Sequence, residues 1–357
     1  MLITSIELQN FRNYQEQKID FCNKLNILFG DNAQGKTNIV EAIFLAAFGK
    51  SFRTNKDREM ILKDKEFCNI LINYENKNRK GKIKIQISDK KAIFINDIKI
   101  KKLSELLGTI NVVLFSPDDI NILKEGPSKR RKFLDMMIGQ IRPKYIYTLS
   151  NYLKILEERN NYLKQININN YDENLLEIWD EKLSEYGELV YLYRKEFINK
   201  IEKIIKNIHN EITEDKEKIE IKYVSDYENK EKFIEKIRKN RSKDIYKGYT
   251  TVGIQRDDFI ININGEPLNI YGSQGQHRTA VLSLKLCELE ILKEECQENP
   301  ILLLDDFMSE LDETRIKNFL KYLKDIQVIV TCTDEIDIKE KTKSVFYVKN
   351  GIVNKIK

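Results

Sequence analysis

The chain has 357 residues, 41% of them hydrophobic, with 61 Lys plus Arg against 56 Asp plus Glu and a net charge of +5. That is longer than one typical domain and apolar enough for at least one sizeable core, so two lobes are expected, and the charge permits nucleic-acid contact without requiring it. Five cysteines without a C-x-x-C pair and only two histidines argue against a zinc or disulfide framework. No run approaches the ~20 apolar residues of a bilayer span, and Met1–Asn10 lacks the marks of an export signal, so a cytoplasmic protein with no membrane partner is expected.

Leu2–Leu8 and Lys24–Phe29 read as strands, the second ending at a glycine and followed by a helical pattern. Two alternating segments, Ile83-Ile85-Ile87 and Ile93-Ile95, predict antiparallel strands, with Asn96-Asp97 as a tight turn, and Asn111–Phe115 predicts a further strand before Pro117. From about Ser128 to Asn240 long charged segments carry apolar residues at helical spacing. Tyr145, Leu149, Tyr152 and Leu156 form one stripe. After an Asn-rich break at Ile166–Asn174, the series from Trp179 through Leu183, Val190 and Phe197 to Ile208 steps by three and four, as a buried helix face requires. A continuous helix there spans roughly 45 Å at 1.5 Å per residue, far short of a long coiled-coil arm.

Strands are predicted again at Tyr249–Ile254 and Phe259–Ile263, the latter turning at Asn264-Gly265, followed by a helix from about Gln274 to Glu295. Ile301–Leu304 and Gln327–Thr331 are uniformly apolar enough to lie centrally in a sheet. The expected fold is therefore α/β: a head with mixed sheets, discontinuous over 1–115 and 246–357, with a helical lobe at 116–245 and no long coiled coil.

Three motifs carry the chemistry. Gly30-Asp31-Asn32-Ala33-Gln34-Gly35-Lys36-Thr37 fits G-x-x-x-x-G-K-T between a predicted strand and a predicted helix. Its glycines let backbone N–H groups wrap phosphates and the helix presents its positive end to them; Lys36 reaches the terminal phosphates, and Thr37 offers its hydroxyl to Mg²⁺. Ile301-Leu302-Leu303-Leu304-Asp305-Asp306 delivers two carboxylates at the C-terminal end of a buried strand, where open α/β sheets bind ligands. Asp305 is expected at the Mg²⁺ and Asp306 at the attacking water; because ABC ATPases usually carry Glu there and Asp is one methylene shorter, turnover is expected to be slow.

The third motif, Tyr271-Gly272-Ser273-Gln274-Gly275-Gln276, precedes a long helix. Alone it reads as a helix N-cap with a flexible turn. Together with the other two it resembles the S-G-G-Q signature of ABC ATPases, with Gln in place of the first Gly, which puts Ser273, Gly275 and Gln276 at an anion. In those ATPases the signature meets nucleotide held by the opposite subunit. One copy of each motif per chain therefore implies an ATP-bridged homodimer with two equivalent sites. Ser309-Glu310-Leu311-Asp312 resembles the D-loop that follows the acidic strand. Thr331-Cys332-Thr333 has no histidine to sense the γ-phosphate, and Val112–Asp119 has no Gln for a Q-loop, so both roles stay unassigned.

Pro117-Asp118-Asp119, Gly126-Pro127-x-x-Arg130-Arg131-x-Phe133-Leu134-Asp135, Leu303-Leu304-Asp305-Asp306 with Ser309–Asp312 and Arg315, Asn10–Tyr14, Ser51-Phe52-Arg53 and Gln255–Asp258 together resemble the RecF family over essentially the whole chain. Glu125 departs from it, standing where the family usually has glycine. The resemblance implies an ATP-dependent dimer that binds single-stranded, gapped or linear double-stranded DNA, hydrolyses ATP weakly under DNA stimulation, and works with RecR and RecO to load RecA. Arg12 and Arg53, near the phosphate loop in sequence, are open to nucleotide or DNA contacts and equally to structural salt bridges. The run Lys129-Arg130-Arg131-Lys132 reads either as a phosphate contact or as a solvated helix start. On motifs alone, the nucleotide-binding subunit of a transporter or another SMC-like ATPase is the alternative. A related nuclease class appends a second acidic domain, for which the stretch beyond Asp306 is too short.

Overall fold

The structure is a computed structural model that describes residues 1–77, 79–169, 172–307, 313–334 and 342–357. The D-loop-like residues 309–312 lie outside the described residues. By internal contacts the chain divides into two compact units, one of 1–119, 211–214 and 282–357, the other of 120–210 and 215–281.

The first unit is built on two six-stranded sheets. One is largely parallel and runs in the order Ile352–Lys355, Lys343–Lys349, Leu25–Phe29, Val328–Cys332, Ile301–Asp305, Val112–Phe115; only the hairpin formed by the first two strands is antiparallel. Ile301–Asp305, Val328–Cys332 and Val112–Phe115 are buried along their whole length. That is why they read as uniform apolar runs rather than alternating ones. The other sheet is antiparallel, ordered Tyr14–Asp20, Leu2–Phe11, Cys68–Glu75, Lys80–Ile87, Lys91–Ile95, Ile98–Lys99. Its strand Cys68–Glu75 alternates buried and half-buried residues, with Ile70 and Ile72 fully inside. Helix Lys36–Phe48 touches strands of both sheets and is buried nearly all round, as its Ile-Val-Ala-Ile-Phe-Leu content requires. Asn96 and Asp97 take positive φ values of 49° and 67°, the pair of left-handed residues that a two-residue hairpin turn demands.

Among the described residues the second unit carries three long helices, Pro127–Ile141, Pro143–Asn169 and Leu176–Thr213, several shorter ones and a three-stranded ribbon. Proline opens the first two helices, where its missing N–H costs nothing. The expected stripes face inward: Tyr145, Tyr152, Leu183, Val190, Phe197 and Ile201 are buried, and the third helix is continuous for 38 residues.

The ribbon differs from the sequence reading. Tyr249–Ile254 forms no strand; the partner of Asp258–Ile263 is Ile219–Val224, in antiparallel register from Asp258↔Val224 to Ile263↔Ile219. The physical reason lies in local capture of the backbone. The Asp244 carboxylate accepts from the N–H (2.9 Å) and hydroxyl (2.6 Å) of Thr251, Asn160 accepts from the Thr250 N–H at 2.7 Å, and Gly253 sits at φ 123°, outside the strand region. Because Asp258–Ile263 pairs within this unit, the segment 246–281 belongs by contact to it, so the boundaries do not coincide with those expected for a 116–245 lobe.

Candidate nucleotide site

The loop from Gly30 to Gly35 joins strand Leu25–Phe29 to helix Lys36–Phe48. Its shape depends on two glycines. Gly30 lies at φ 148° and Gly35 at φ 117°; a Cβ on the first would stand 2.3 Å from the Val348 carbonyl oxygen, and on the second 2.6 Å from the Asn13 amide nitrogen. No other residue fits either place. The loop is held from outside by residues distant in sequence. The Asn13 side-chain N–H donates to the Gln34 carbonyl at 2.8 Å, the Tyr14 hydroxyl to the Gly35 carbonyl at 3.0 Å, and the Asn350 N–H to the Gln34 Oε1 at 2.7 Å. Gly351, at φ 73°, donates its N–H to the Gln34 carbonyl at 3.2 Å.

Lys36 is almost fully buried, and its Nζ donates to the carbonyls of Gly30 at 2.6 Å and Asp31 at 2.9 Å. At the mouth of the loop Thr37 Oγ1 donates to Asp305 Oδ1 at 2.9 Å, across 268 residues of sequence. Thr331 Oγ1 donates to the same Oδ1 at 2.8 Å and accepts from the Asp306 N–H at 3.0 Å. Asp305 and Thr331 are paired in the parallel register of adjacent strands, which places the hydroxyl against the carboxylate. Burial raises the Asp305 pKa, and the hydrogen bonds from Thr331 and Thr37 oppose that shift. Asp306 takes φ 48°, a left-handed conformation that an acidic residue tolerates, so the chain turns sharply out of the sheet just after Asp305.

Arg12 and Arg53 resolve as structural ion pairs. Arg12 grips the buried Glu41 carboxylate with two parallel hydrogen bonds, Nε to Oε2 at 2.8 Å and Nη2 to Oε1 at 2.6 Å. Arg53 Nη1 reaches Asn38 Oδ1 at 2.7 Å and Glu41 Oε2 at 3.3 Å, and the Ser51 hydroxyl completes the set at 2.5 Å from Oε1. Glu41 lies on the phosphate-loop helix, so these groups fix that helix's first turns.

In the second unit Ser273 caps the helix Gln274–Cys296. The Gln276 N–H donates to Ser273 Oγ at 3.2 Å, and the Ser273 N–H donates to Gln276 Oε1 at 2.9 Å, a reciprocal capping box. Ser273 and Gly275 are exposed, and a Cβ on Gly275 would meet only the Ser273 hydroxyl, at 3.9 Å. The helix start therefore presents its first N–H groups to solvent.

Two residues of the basic run turn inward. Arg130 pairs with Asp258 through Nε–Oδ1 at 2.6 Å and Nη2–Oδ2 at 3.0 Å and donates to the Glu125 carbonyl at 2.8 Å, while Arg131 donates to the Asp257 carbonyl at 2.8 Å. Lys129 pairs with Glu125 at 3.3 Å. Arg130 and Arg131 thus clamp the helix Pro127–Ile141 to the ribbon. Glu125 has φ −84°, so its position makes no demand for glycine.

The sequence reading missed Thr331 as the holder of both acids, and Asn13, Tyr14, Asn350 and Gly351 as the frame of the loop. Register and tertiary packing create these roles, and no spacing in the sequence marks them. Val112–Asp119 offers Asp119, not Gln, after the edge strand; burial raises its carboxyl to about 6, with Lys285 opposing.

The sequence family described as the RecF/RecN/SMC N terminal domain matches residues 2–354. The DNA replication and repair protein RecF of Clostridium kluyveri is 47% identical over 365 aligned residues, covering 100% of both chains. That of Clostridium perfringens SM101 is 45% identical, over 98% of this chain and 99% of the relative. This chain belongs to the RecF family. A solved structure described as the recombination mediator protein RecF-ATP in the RecFOR pathway superposes with a TM-score of 0.94 at 40% identity, covering 99% of this chain and 97% of that one. A solved Smc head bound to the C-winged helix domain of ScpA, at 15% identity and a TM-score of 0.59 over 100% of this chain and 97% of that one, shares the fold. The RecF fold seen here is that of an ABC-type ATPase head with mixed sheets. Among the described residues no helix is long and apolar enough to cross a membrane.

Proposed function

We propose that the chain is an ATP-gated, DNA-binding homodimer of recombinational gap repair, which helps RecR and RecO load RecA and hydrolyses ATP slowly under DNA stimulation. One observation carries the ATP reading: Thr37 and Asp305 share a hydrogen bond at the mouth of a glycine-shaped loop, with Asp306 tied to the same anchor through Thr331. The names of the relatives, a DNA replication and repair protein and a RecF-ATP structure in the RecFOR pathway, support the DNA, ATP and partner parts of the reading.

The residues fit the groups they would hold. Gly30–Gly35 is a cradle that a Cβ would fill at Gly30 and Gly35, so main-chain N–H groups can approach phosphate closely. The hydroxyl of Thr37 and the carboxylate of Asp305 are hard oxygen donors already in contact, suited to a small divalent cation completed by phosphate oxygens. Mg²⁺ supplies charge neutralisation on the phosphates there. Lys36, now on the loop carbonyls, is placed to exchange those acceptors for phosphate oxygens. Asp306, turned out of the sheet, holds or accepts the proton of the attacking water. Ser273, Gly275 and Gln276 of a second copy supply the exposed helix N-terminus that closes on the terminal phosphate, so nucleotide stabilises the closed dimer and loss of that phosphate releases it.

Sedimentation velocity of wild type and Lys36→Arg, with and without ATP and gapped DNA, tests this. Wild type is expected to dimerise on DNA when ATP is present, and Lys36→Arg to remain monomeric. A wild-type monomer indifferent to ATP on gapped DNA would contradict it.

A further inference from the structure

One end of the second unit carries a basic and aromatic surface that no site above uses. Helices Lys230–Lys239 and Arg241–Lys247 follow one another through Asn240, whose N–H and C=O both keep helical hydrogen bonds, to the Lys236 carbonyl at 3.2 Å and from the Asp244 N–H at 2.8 Å. Lys239, Lys243, Tyr246 and Lys247 therefore recur at steps of three and four along one stripe. Gly248 ends the second helix at φ 70°, and a Cβ on it would stand 3.3 Å from the Lys164 stem, which brings Lys164 beside the same tip. Tyr249 follows, with Lys247 Nζ 5.8 Å from its ring centre.

Two features set this surface apart from an ordinary solvated helix face. First, its aromatic rings reach solvent: Tyr246 is 85% exposed and Tyr249 42%. Second, among the described residues none of its four lysines has a carboxylate partner, and several neighbouring acids are taken by other bases. Glu177 takes Arg238, and at 3.9 Å Arg241; Asp180 takes Arg159 and Arg241; buried Asp244 takes Arg159. Lys236 and Lys232, about one and two turns before Lys239, are paired with Asp226 and Glu228. Of the exposed acids, Glu235 lies four residues before Lys239 on the same helix, and Asp172 and Glu173 stand on the turn that Tyr162 fixes through the Asp172 carbonyl at 2.9 Å; among the described residues none of them forms an ion pair with the four lysines.

An exposed ring gains by covering its faces, and a ring ringed by lysines does so best with a flat partner that brings its own negative charge. We infer that Tyr246 and Tyr249, flanked by Lys164, Lys239, Lys243 and Lys247, form a contact for single-stranded nucleic acid, with bases stacking on the rings and the lysines following the phosphates. Duplex hides its base faces and offers this tip phosphates alone. The inference rests on the DNA-binding reading and adds to it which strand form is recognised and where.

Full-length wild type, Tyr246→Ala, Tyr246→Phe and Lys243→Glu/Lys247→Glu are compared for binding of a fluorescent dT oligonucleotide and of a blunt duplex by anisotropy. Tyr246→Ala is expected to weaken dT binding about tenfold, within the usual range for loss of one base–aromatic stack, and to leave duplex binding unchanged. Tyr246→Phe keeps the π-face and should bind dT as wild type does. The double charge reversal should weaken dT binding and flatten its salt dependence by about two charges or more. Unchanged dT affinity in Tyr246→Ala, dT binding by wild type that acidic polypeptide displaces as well as dT does, or wild-type binding of duplex but not dT each overturns the inference alone. A wild type that binds neither DNA overturns the DNA-binding reading itself. Because Tyr246 packs against nothing, a change in thermal midpoint on its substitution would also count against the surface described.

Discussion

Thr37 and Thr331 both direct their hydroxyl hydrogens at one oxygen of Asp305, 2.9 and 2.8 Å away, and the Asp306 N–H closes the set on Thr331. Asp306, whose backbone turns out of the sheet, is the group proposed to act on a water. Asp306→Asn should lower phosphate release by about 10²- to 10⁴-fold, the usual contribution of a general base, while leaving ATP binding intact in an equilibrium titration. Equal turnover in the two proteins would remove Asp306 from the chemistry. Asp119 shows the opposite use of a carboxylate. Burial raises it from an ordinary 3.8 to about 6, so between those values the folded chain binds more protons than the unfolded one. Its contribution to stability is greatest at low pH and is lost as pH rises through that window. Replacing it with Asn should flatten the change in urea midpoint between about pH 4 and pH 7, and an unchanged slope would show that other groups cause it. Lys36, Thr37 and Asp305 were legible in the sequence because strand, loop and helix follow one another locally. Thr331 was not: its role comes from a register between parallel strands, 26 residues from Asp305.

Among the elements, helix Leu176–Thr213 is tied to its unit through buried cations, Arg194 of its own and Arg159 on its Asp180. Arg194 donates to Asp257 Oδ2 at 2.9 Å, to Asp135 Oδ1 at 3.0 Å and to the Ile254 carbonyl at 2.7 Å, and Tyr223 and Ser225 hydroxyls add to Asp257 at 2.6 and 2.5 Å. Burial raises Asp257, and Arg194 and the two hydroxyls oppose that. Arg194→Met should cost about 3–5 kcal/mol in urea unfolding, because it leaves Asp257 buried without its cation, and adding Asp257→Asn should recover part of the loss. Additive losses would mean the two do not act as a pair. This network also explains why Arg131, Asp135 and Asp257 stand in the segments that resemble the family: they assemble the lobe. Helices were readable from 3.6-residue periodicity because one face of each is buried. Ile219–Val224 carried the alternation of a strand, with Ile219 and Ile221 inside, but six residues amid charged helical sequence gave little contrast. At Tyr249–Ile254 apolar and Thr-rich composition suggested a strand that side-chain capture by Asp244 and Asn160 prevents.

At the scale of the molecule, the head was legible because its central strands are buried on both faces, whereas the edge of the second unit was not. Which unit claims 246–281 depends on the pairing of Asp258–Ile263 with Ile219–Val224, a contact that composition does not reveal. The frame of the phosphate loop is likewise non-local, and it can be tested: a Cβ on Gly351 would stand 2.3 Å from the Asn13 carbonyl oxygen at a φ of 73°. Gly351→Ala should therefore shift the loop and weaken ATP binding with Lys36 and Thr37 intact, at a stability cost of about 1–3 kcal/mol. Wild-type affinity would show that the loop holds its shape alone.

The central claim is that each nucleotide is completed by Ser273 from another copy, and ATP turnover in a mixture of two inactive proteins tests it most directly. Lys36→Ala and Ser273→Arg should each be inactive alone, whereas an equal mixture should recover part of the wild-type activity, since a mixed dimer has one intact site. No recovery on mixing, with both proteins folded and able to associate, would contradict the account.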